Sequence, residues 1–388
     1  MNTTITHANI ITPFVEKVDQ TIEIFDGKIE DIHSTLPMED KQKSGTFDAH
    51  GLWVTPGLID IHIHGCNSAD TMDASLEALS TMSTFLAQHG TTSFYATTVT
   101  NSEENINAAL DAIVQHQSSM PGTNLLGAHI EGPYINIEYK GAQNPNFFRA
   151  PQPAEYHNWI SKGITKLITI APELEGMDEC IAYCVQNQVE LAIGHSKATY
   201  EQVRQAASQG VHQATHLFNG MQGLHHREPG TVGGVLLDTN IYAQIIVDGI
   251  HLHPAIVDLT VQMKGLDKTI LITDAIRATG LPDGEYELGG QAVSVKDGAA
   301  RIANGSLAGS TLTLDQAVRN TMKFADISFP EAIRMATLVP AQAMKISDQK
   351  GHISIGADAD LTFFNTDHQV SATMVNGKFV YQNKNFGE

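Results

Sequence analysis

From residue 55 onward, short apolar runs alternate with longer amphipathic stretches. Such runs are typical of buried parallel strands, and the amphipathic stretches are typical of helices. The alternation predicts β/α units, because parallel strands need a crossover connection that is usually a helix. Eight strands over this length favour an α/β fold of the (β/α)8 TIM-barrel type. The predicted strands are 58–64, 91–99, 124–130, 166–171, 189–195, 212–216, 241–247 and 269–274.

The same pattern predicts helices at 74–88, 103–115, 176–186, 200–208 and 254–263. Residues 284–303 break the alternation, since they are rich in glycine and alternate apolar with polar positions. This segment predicts a hairpin inserted after the eighth strand. Helices predicted at 312–324 and 329–344 would then close the barrel.

Both ends of the chain have β-like patterns. Near the start, 21–25 and 28–32 flank Asp26-Gly27, a dipeptide typical of a tight hairpin, and 46–54 is also β-like. At the end, strands are predicted at 351–356, 360–365 and 373–381. We expect the ends to pair as a small β-sandwich domain of residues 1–54 plus 346–388, beside a barrel domain of residues 55–345.

Composition narrows the class of protein. The 388 residues are 42% hydrophobic and 17% charged, which fits a soluble, well-packed enzyme. The net charge of −20 argues against nucleic acid or an anionic membrane as partner. The chain has three cysteines, an odd and small number that favours a reducing cytoplasm. We also expect no secretory signal, because residues 1–15 have no basic segment followed by an apolar core. No membrane span is expected either, because no apolar run reaches about 18 residues.

The first predicted strand carries a candidate metal site. His62 and His64 are two residues apart, so their side chains share one face of the strand. Two imidazoles at a strand end suit a divalent metal such as zinc. The alternative is that both rings only hydrogen-bond to neighbouring residues.

More metal-capable side chains end other predicted strands, namely Glu131, His195, His216 and Asp274. Barrel enzymes carry their chemistry at this C-terminal face, so these groups predict a metal site with His62 and His64. Glu131 alone could instead cap a helix or form an ion pair. His129 and His212 lie inside or at the start of strands and are expected to be structural.

Asp274 has two open roles. A carboxylate near a metal-bound water can accept its proton and later deliver it to a leaving group. Asp274 could also be a further metal ligand, and the two roles are compatible.

Several motifs resemble a known family. The segment 56–64 and the tail residues Gly351, Ile353, Gly356 and Asp358-Ala359-Asp360-Leu361 resemble the amidohydrolase superfamily. Within it, the chain is similar to the N-acetylglucosamine-6-phosphate deacetylase family. The segments that carry this second resemblance are His129-Ile130-Glu131-Gly132-Pro133, Gly194-His195-Ser196, 215–221, His226-Arg227-Glu228-Pro229-Gly230 and Thr273-Asp274-Ala275.

The resemblance implies metal-dependent hydrolysis of N-acetylglucosamine 6-phosphate in amino-sugar catabolism. A metal-bound hydroxide would be the nucleophile and Asp274 the general base and acid. One or two divalent metals per subunit are implied, with zinc or iron expected ahead of manganese or cobalt. Glu131, His195 and His216 would hold the more constant metal, while His62 and His64 would complete a second site. The two metals would lie on the order of 3.5–4 Å apart.

The resemblance also implies a pocket for a phosphorylated amino sugar. Arg227 would clamp the phosphate, since a guanidinium matches phosphate oxygens in a fork. In the family such residues can reach across a dimer interface, so a homodimer is expected. The full set of implied substrate-binding residues is Ala142, Gln143, Asn219, Gly220, His226, Arg227, Asp248, His251, Ser306, Leu307, Ala308 and Gly309.

The chain departs from relatives at two points. Many superfamily members bridge two metals with a carboxylated lysine after the fourth strand, where this chain has Ala171-Pro172-Glu173, so Glu131 would bridge instead. Some one-metal members carry a histidine where this chain has Gln143, which makes the metals the expected Lewis acid here. The alternatives are another amidohydrolase (a cyclic-amide hydrolase, an aminoacylase or a deaminase) and a non-catalytic scaffold with the same fold.

Overall fold

The computed structural model describes residues 2–12, 15–35, 45–384 and 386. Within these residues, eight parallel strands form one sheet in chain order, as predicted. The first and last strands meet where the Asp274 backbone N–H donates to the His62 carbonyl at 2.9 Å, so the sheet is a nearly closed barrel. Its strands are Leu58–Ile63, Thr91–Thr98, Asn124–Glu131, Thr165–Ile170, Glu190–Ile193, Gln213–Ala214, Tyr242–Ile246 and Thr269–Ile272.

Helices connect these strands and pack their apolar faces against the barrel. Every segment predicted as helical contains helix, and the described residues include two further helices at Pro153–Ser161 and Gly230–Leu237. The second of these is rich in glycine and buried on nearly all sides, so it has no polar face that periodicity could reveal. The remaining helices are Leu76–Gln88, Glu103–His116, Met177–Gln186, Tyr200–Gln209, Pro254–Lys264, Leu314–Ala325, Phe329–Ala336 and Leu338–Ala343.

The region predicted as one helix at 329–344 is two helices. The break falls at Thr337, whose φ of −132° and ψ of −81° are not helical. The Thr337 hydroxyl bonds the Ile333 carbonyl, and its side chain is buried between the two helices. The apolar pattern continues through the break, which is why the sequence alone predicted a single element.

Both chain ends build a second sheet, as expected. Leu361–Phe364 pairs with Trp53–Pro56, which joins the tail to the N-terminal strands. This sheet encloses an apolar core of its own that includes Ile5, Ile22 and Phe363. Its other strands are Asn2–Ile11, Glu16–Phe25, Lys28–Ser34, Thr46–Asp48, Val370–Val375 and Lys378–Gln382. The prediction of a strand at 351–356 is wrong, because those residues form turns that connect the barrel to the sheet.

The insertion after the eighth strand is a three-stranded antiparallel sheet of Gly284–Leu288, Gln291–Lys296 and Ala299–Ile302. It confirms the predicted hairpin and adds a third strand. A small hydrophobic cluster attaches it to the rim of the barrel, and this cluster includes Val99, Ile276 and Val293. Within the described ranges, no helix is long and apolar enough to cross a bilayer.

A buried ion-pair network ties the tail to the rest of the terminal sheet. The Lys350 ammonium lies 2.6 Å from Asp360 Oδ2 and 2.8 Å from Asp358 Oδ2. Asp358 also pairs with Lys28, and the other Asp360 oxygen accepts the Asn376 backbone N–H at 2.7 Å. Burial raises the pKa of Asp360 even though Lys350 opposes the shift. Removing the cation would therefore leave a costly buried charge.

We expect Lys350→Ala to lower the free energy of unfolding by about 3–5 kcal/mol, because Asp360 would lose its buried counter-ion. Urea unfolding followed by circular dichroism measures this change. Lys197→Ala is the matched control, since Lys197 pairs with Glu138 at the exposed surface and its loss should leave the midpoint unchanged. An equal, small effect of both substitutions would contradict the structural role of Lys350.

Candidate active site

Five buried side chains converge at the C-terminal rim of the barrel. Their ligand atoms form two groups, His62 with His64 and Glu131, and Glu131 with His195 and His216. Within each group all ligand atoms lie within 4.8 Å of one another. Glu131 belongs to both groups, so its carboxylate is the point that joins them.

The two Glu131 oxygens face different histidines. Oε1 lies 2.9 Å from His216 Nε2 and 3.3 Å from His195 Nε2. Oε2 lies 3.2 Å from His64 Nε2. Oε1 also lies 3.7 Å from His62 Nε2. The carboxylate therefore contacts all four histidines and joins the two groups, as a bridge between two metal positions requires.

The ring orientations of the histidines suit metal binding. The Nδ1 atoms of His64 and His195 donate to the carbonyls of Thr97 at 3.2 Å and Tyr139 at 2.8 Å. Each Nε2 atom therefore faces the cluster, as in metal-binding histidines whose other nitrogen is held by a carbonyl. Among the described residues, the buried His195 Nε2 has no hydrogen-bond partner. The donor set thus fits a divalent metal.

The backbone turns sharply at the ends of the strands at two of these histidines and at Asp274. His195, His216 and Asp274 have φ values of 47°, 32° and 50°. This left-handed conformation is unusual for residues with a side chain and costs on the order of 1–3 kcal/mol. It turns each side chain from the end of its strand toward the centre of the rim, and periodicity in the sequence gives no sign of it.

Asp274 lies against the first histidine pair. Its Oδ1 is 3.3 Å from His62 Nε2 and 3.2 Å from His64 Nε2. Burial raises the pKa of Asp274, but the two imidazoles outweigh burial and hold the pKa well below its usual range. An ionised carboxylate at this point can accept a proton or bind a metal.

The same balance acts on Glu131 and His64. Burial raises the pKa of Glu131, but His62, His195 and His216 outweigh it and lower that pKa. Burial lowers the pKa of His64, but Asp274 and Glu131 outweigh it and raise that pKa. The electrostatics therefore favour ionised carboxylates that need a cation beside them.

A cavity of about 220 Å³ opens above the cluster. Its walls include His64, Glu131, His195, His216 and Asp274. Most of the implied substrate-binding residues also line it, namely Ala142, Gln143, Asn219, Gly220, His251, Ser306, Leu307 and Gly309. Sequence reasoning missed five further lining residues, Val99, Gly141, Asn144, Leu288 and Gly289.

Four of the implied substrate-binding residues do not line this cavity. The Ala308 side chain is fully buried in the hydrophobic cluster beneath the inserted sheet. Asp248 lies behind His251 and accepts a hydrogen bond from its Nδ1 at 2.7 Å. His226 and Arg227 are exposed, and Arg227 Nη1 lies 2.7 Å from His226 Nε2. In a single chain, the side chains of His226 and Arg227 therefore lie outside the cavity that contains the metal-binding cluster.

Residues 53–380 match the amidohydrolase family. The chain belongs to this family. It is 40% identical to the N-acetylglucosamine-6-phosphate deacetylase of Vibrio furnissii over 84% of this chain and 82% of that protein. It is 36% identical to an N-acetylgalactosamine-6-phosphate deacetylase of Escherichia coli O157:H7 over 93% of this chain and 94% of the relative.

A solved N-acetylglucosamine-6-phosphate deacetylase from Pasteurella multocida superposes with a TM-score of 0.93 at 31% identity, covering 99% of this chain and 100% of that one. The fold predicted from the strand pattern and the resemblance stated from the motifs are both confirmed. The comparisons also confirm that this amidohydrolase-family chain is an enzyme, and they support the expected need for a divalent metal.

The structure shows the contacts of Gln143 and Glu173, the two positions at which the sequence analysis expects this chain to differ from other family members. Gln143 Nε2 donates to Glu131 Oε2 at 2.6 Å, and Gln143 Oε1 accepts the Thr100 backbone N–H at 2.8 Å. Gln143 thus holds the carboxylate that joins the two histidine groups. Glu173 lies after the fourth strand but bonds Asn136 and Ser196, so it supplies no bridge.

We expect Glu131→Gln to abolish metal binding at both positions, because Glu131 is the ligand that the two groups share. The double variant His62→Ala/His64→Ala should keep one metal per chain. The measurement is metal content by plasma mass spectrometry after anaerobic purification. His251→Ala, which changes a cavity residue outside the cluster, is the control and should retain the full content. Full occupancy in Glu131→Gln would contradict the shared-ligand arrangement.

Proposed function

We propose that this protein hydrolyses the N-acetyl group of N-acetylglucosamine 6-phosphate to give glucosamine 6-phosphate and acetate. The observation that carries the proposal is the convergence of four histidines and Glu131 beside Asp274, at the floor of a cavity. The relatives named above, which match most of the chain, support the choice of substrate class. Acetate release by metal-loaded protein, with and without prior chelation, tests the proposal.

We assign the metal ligands as Glu131, His195 and His216 for one position and His62, His64 and Glu131 for the other. A divalent metal held there supplies a Lewis acid and lowers the pKa of water to roughly 7. Zinc or iron is expected ahead of manganese or cobalt, because imidazole and carboxylate ligands accept all four.

Asp274 is the proposed general base and acid. Its Oδ1 lies beside the His62 and His64 nitrogens, so a water bound at the cluster would be within its reach. The carboxylate takes the proton from the attacking water and then gives it to the sugar nitrogen. This second transfer matters because without the proton the sugar nitrogen would have to leave as an amide anion, which is a poor leaving group.

Asp274→Asn should lower kcat by about 10²–10⁴-fold, since the amide keeps the shape of the side chain but cannot carry the proton. The checks are kcat for acetate release and metal content on the same preparation. Retained metal with lost turnover supports the proton-transfer role. Loss of both would assign Asp274 as a ligand, and normal turnover would refute either role.

Sugar and phosphate binding is proposed for the polar part of the cavity. Asn219, Gly220 and His251 line it, and Asp248 holds the His251 ring through Nδ1. Burial raises the pKa of Asp248, but the hydrogen bond from His251 outweighs burial and lowers it. Ala142, Gln143, Ser306, Leu307 and Gly309 are proposed to complete the pocket.

Arg227 is proposed to bind the phosphate across a homodimer interface, with His226 beside it. Its exposure outside the cavity of its own chain supports a contact with a second copy. A guanidinium also supplies the positive charge that a chain of net charge −20 must provide locally for an anionic substrate.

Arg227→Ala should raise KM for the phosphorylated sugar by about tenfold to a hundredfold, the effect of losing a charged hydrogen bond. KM for unphosphorylated N-acetylglucosamine should change little. Arg204→Ala, another exposed arginine, is the control. Sedimentation velocity of each protein checks the dimer, and equal effects of Arg227→Ala on both sugars would remove the phosphate role.

Rival activities call for a substrate panel. The Escherichia coli relative makes N-acetylgalactosamine 6-phosphate the second candidate. A cyclic amide, an N-acyl amino acid and a deaminase substrate cover other amidohydrolases. If the metal-loaded protein turned over none of these substrates, a non-catalytic scaffold would be favoured.

We further propose the domain limits given above, with the barrel at 55–345. A cytoplasmic location is also proposed, which is consistent with the free cysteines.

A further inference from the structure

One side of the cavity is an apolar wall formed by Val99, Ala142 and Leu288. Val99 follows the second barrel strand, and Leu288 ends the first strand of the inserted sheet. Both belong to one hydrophobic cluster, against which Ala142 packs. The inserted sheet lies close to Val99, since a Cβ placed on Gly289, the residue after Leu288, would lie only 2.9 Å from Val99 Cγ2.

The apolar wall stands beside the metal-binding cluster. Thr97, two residues before Val99, accepts the His64 Nδ1 hydrogen bond at 3.2 Å. Gln143, next to Ala142, donates to Glu131 at 2.6 Å. Any amide carbonyl held at the cluster therefore lies next to this wall.

The polar side chains of Asn219 and His251 line the cavity from the other side of the rim. Asn219 follows the sixth strand and His251 follows the seventh, whereas Val99 follows the second strand. In an eight-stranded barrel that runs in chain order, the second and sixth strands are diametrically opposed. Val99 and Leu288 thus define an apolar half of the cavity, Asn219 and His251 define a polar half, and the polar Gln143 and Asn144 follow Ala142 in the chain.

We infer that the apolar wall receives the acyl group of the substrate and limits its length. The inference rests on the proposed function and adds to it the part of the substrate that is removed. The carbonyl carbon under attack carries two substituents, the sugar nitrogen and the acyl carbon. The hydroxyl-rich, phosphorylated sugar takes the polar half near His251, so the acyl chain takes the apolar half.

The apolar wall is firmly supported from behind, which is why it selects by size. Ile276, Val293 and Ala308 are buried behind it at 0% exposure. The inserted sheet is also tied to the opposite loop by a hydrogen bond from Gln291 Nε2 to the Ala142 carbonyl. A packed core yields little to an extra methylene, so acyl groups longer than acetyl are excluded.

The test compares N-acetyl, N-propionyl and N-butyryl glucosamine 6-phosphate as substrates. Val99→Ala and Leu288→Ala should each raise the ratio of kcat/KM for butyryl over acetyl by about tenfold or more, the scale of one or two methylenes in an apolar pocket. Inhibition by glucosamine 6-phosphate should be unchanged, because this product has no acyl group. The two variants lie on different elements, so misfolding of one leaves the other as the test.

Val203→Ala is the matched control, since it truncates a buried valine that belongs to the core of the barrel and lies outside both the cavity and the cluster behind the wall, so it should leave the acyl ratio unchanged. An unchanged ratio in both wall variants would overturn the inference. An equal shift in Val203→Ala would also overturn it. Weaker glucosamine 6-phosphate binding by the wall variants would overturn it as well, because that result would assign the wall to the sugar ring. If the wild-type protein releases no acid from any of the three sugars, the proposed function itself fails.

Discussion

The site depends on the burial of one carboxylate among imidazoles. Glu131 is 1% exposed, and a buried ionised carboxylate is stable only with compensating charge and hydrogen bonds. Four histidine nitrogens and the Gln143 amide surround it. The Nε2 atoms of His64 and His195 face inward because their Nδ1 atoms donate to backbone carbonyls, which is the donor geometry that a divalent cation requires. The rest of the rim is arranged to keep these donors in place.

The barrel holds the donors in place through the contact between its first and last strands. Asp60 Oδ2 accepts the Thr273 hydroxyl at 2.6 Å, and Asp60 Oδ1 accepts the His62 backbone N–H at 3.2 Å. Burial raises the pKa of Asp60 to about 6, although the bond from Thr273 opposes the shift. This carboxyl therefore couples the strand that carries His62 to the one that precedes Asp274, and so aligns the histidine pair with the proposed base.

The inserted sheet and the terminal sheet lie outside the barrel, and the inserted sheet forms part of the cavity above the cluster. The inserted sheet supplies Leu288 and Gly289 to the cavity and contacts the loop that carries Ala142. The terminal sheet packs on the barrel from another side, with the Thr373 hydroxyl bonding the Ala87 carbonyl at 2.7 Å. The fold thus separates three tasks, since the strand ends hold the cluster, the loops and the insertion form the cavity, and the terminal sheet anchors both chain ends.

Much of this architecture could be predicted from the sequence because its signals are local. Short runs of apolar residues, alternating or continuous, predicted the barrel strands. The candidate site residues could then be identified because they lie at or next to the C-terminal ends of those strands, namely His62, His64, Glu131, His195, His216 and Asp274. Only the tertiary structure decided the left-handed turns that aim His195, His216 and Asp274, the position of Leu288 in the cavity, and the exposure of Arg227. These features arise from contacts between residues distant in the chain, which no local pattern encodes. Periodicity determines which face of a strand is buried, but only packing determines which neighbour it meets.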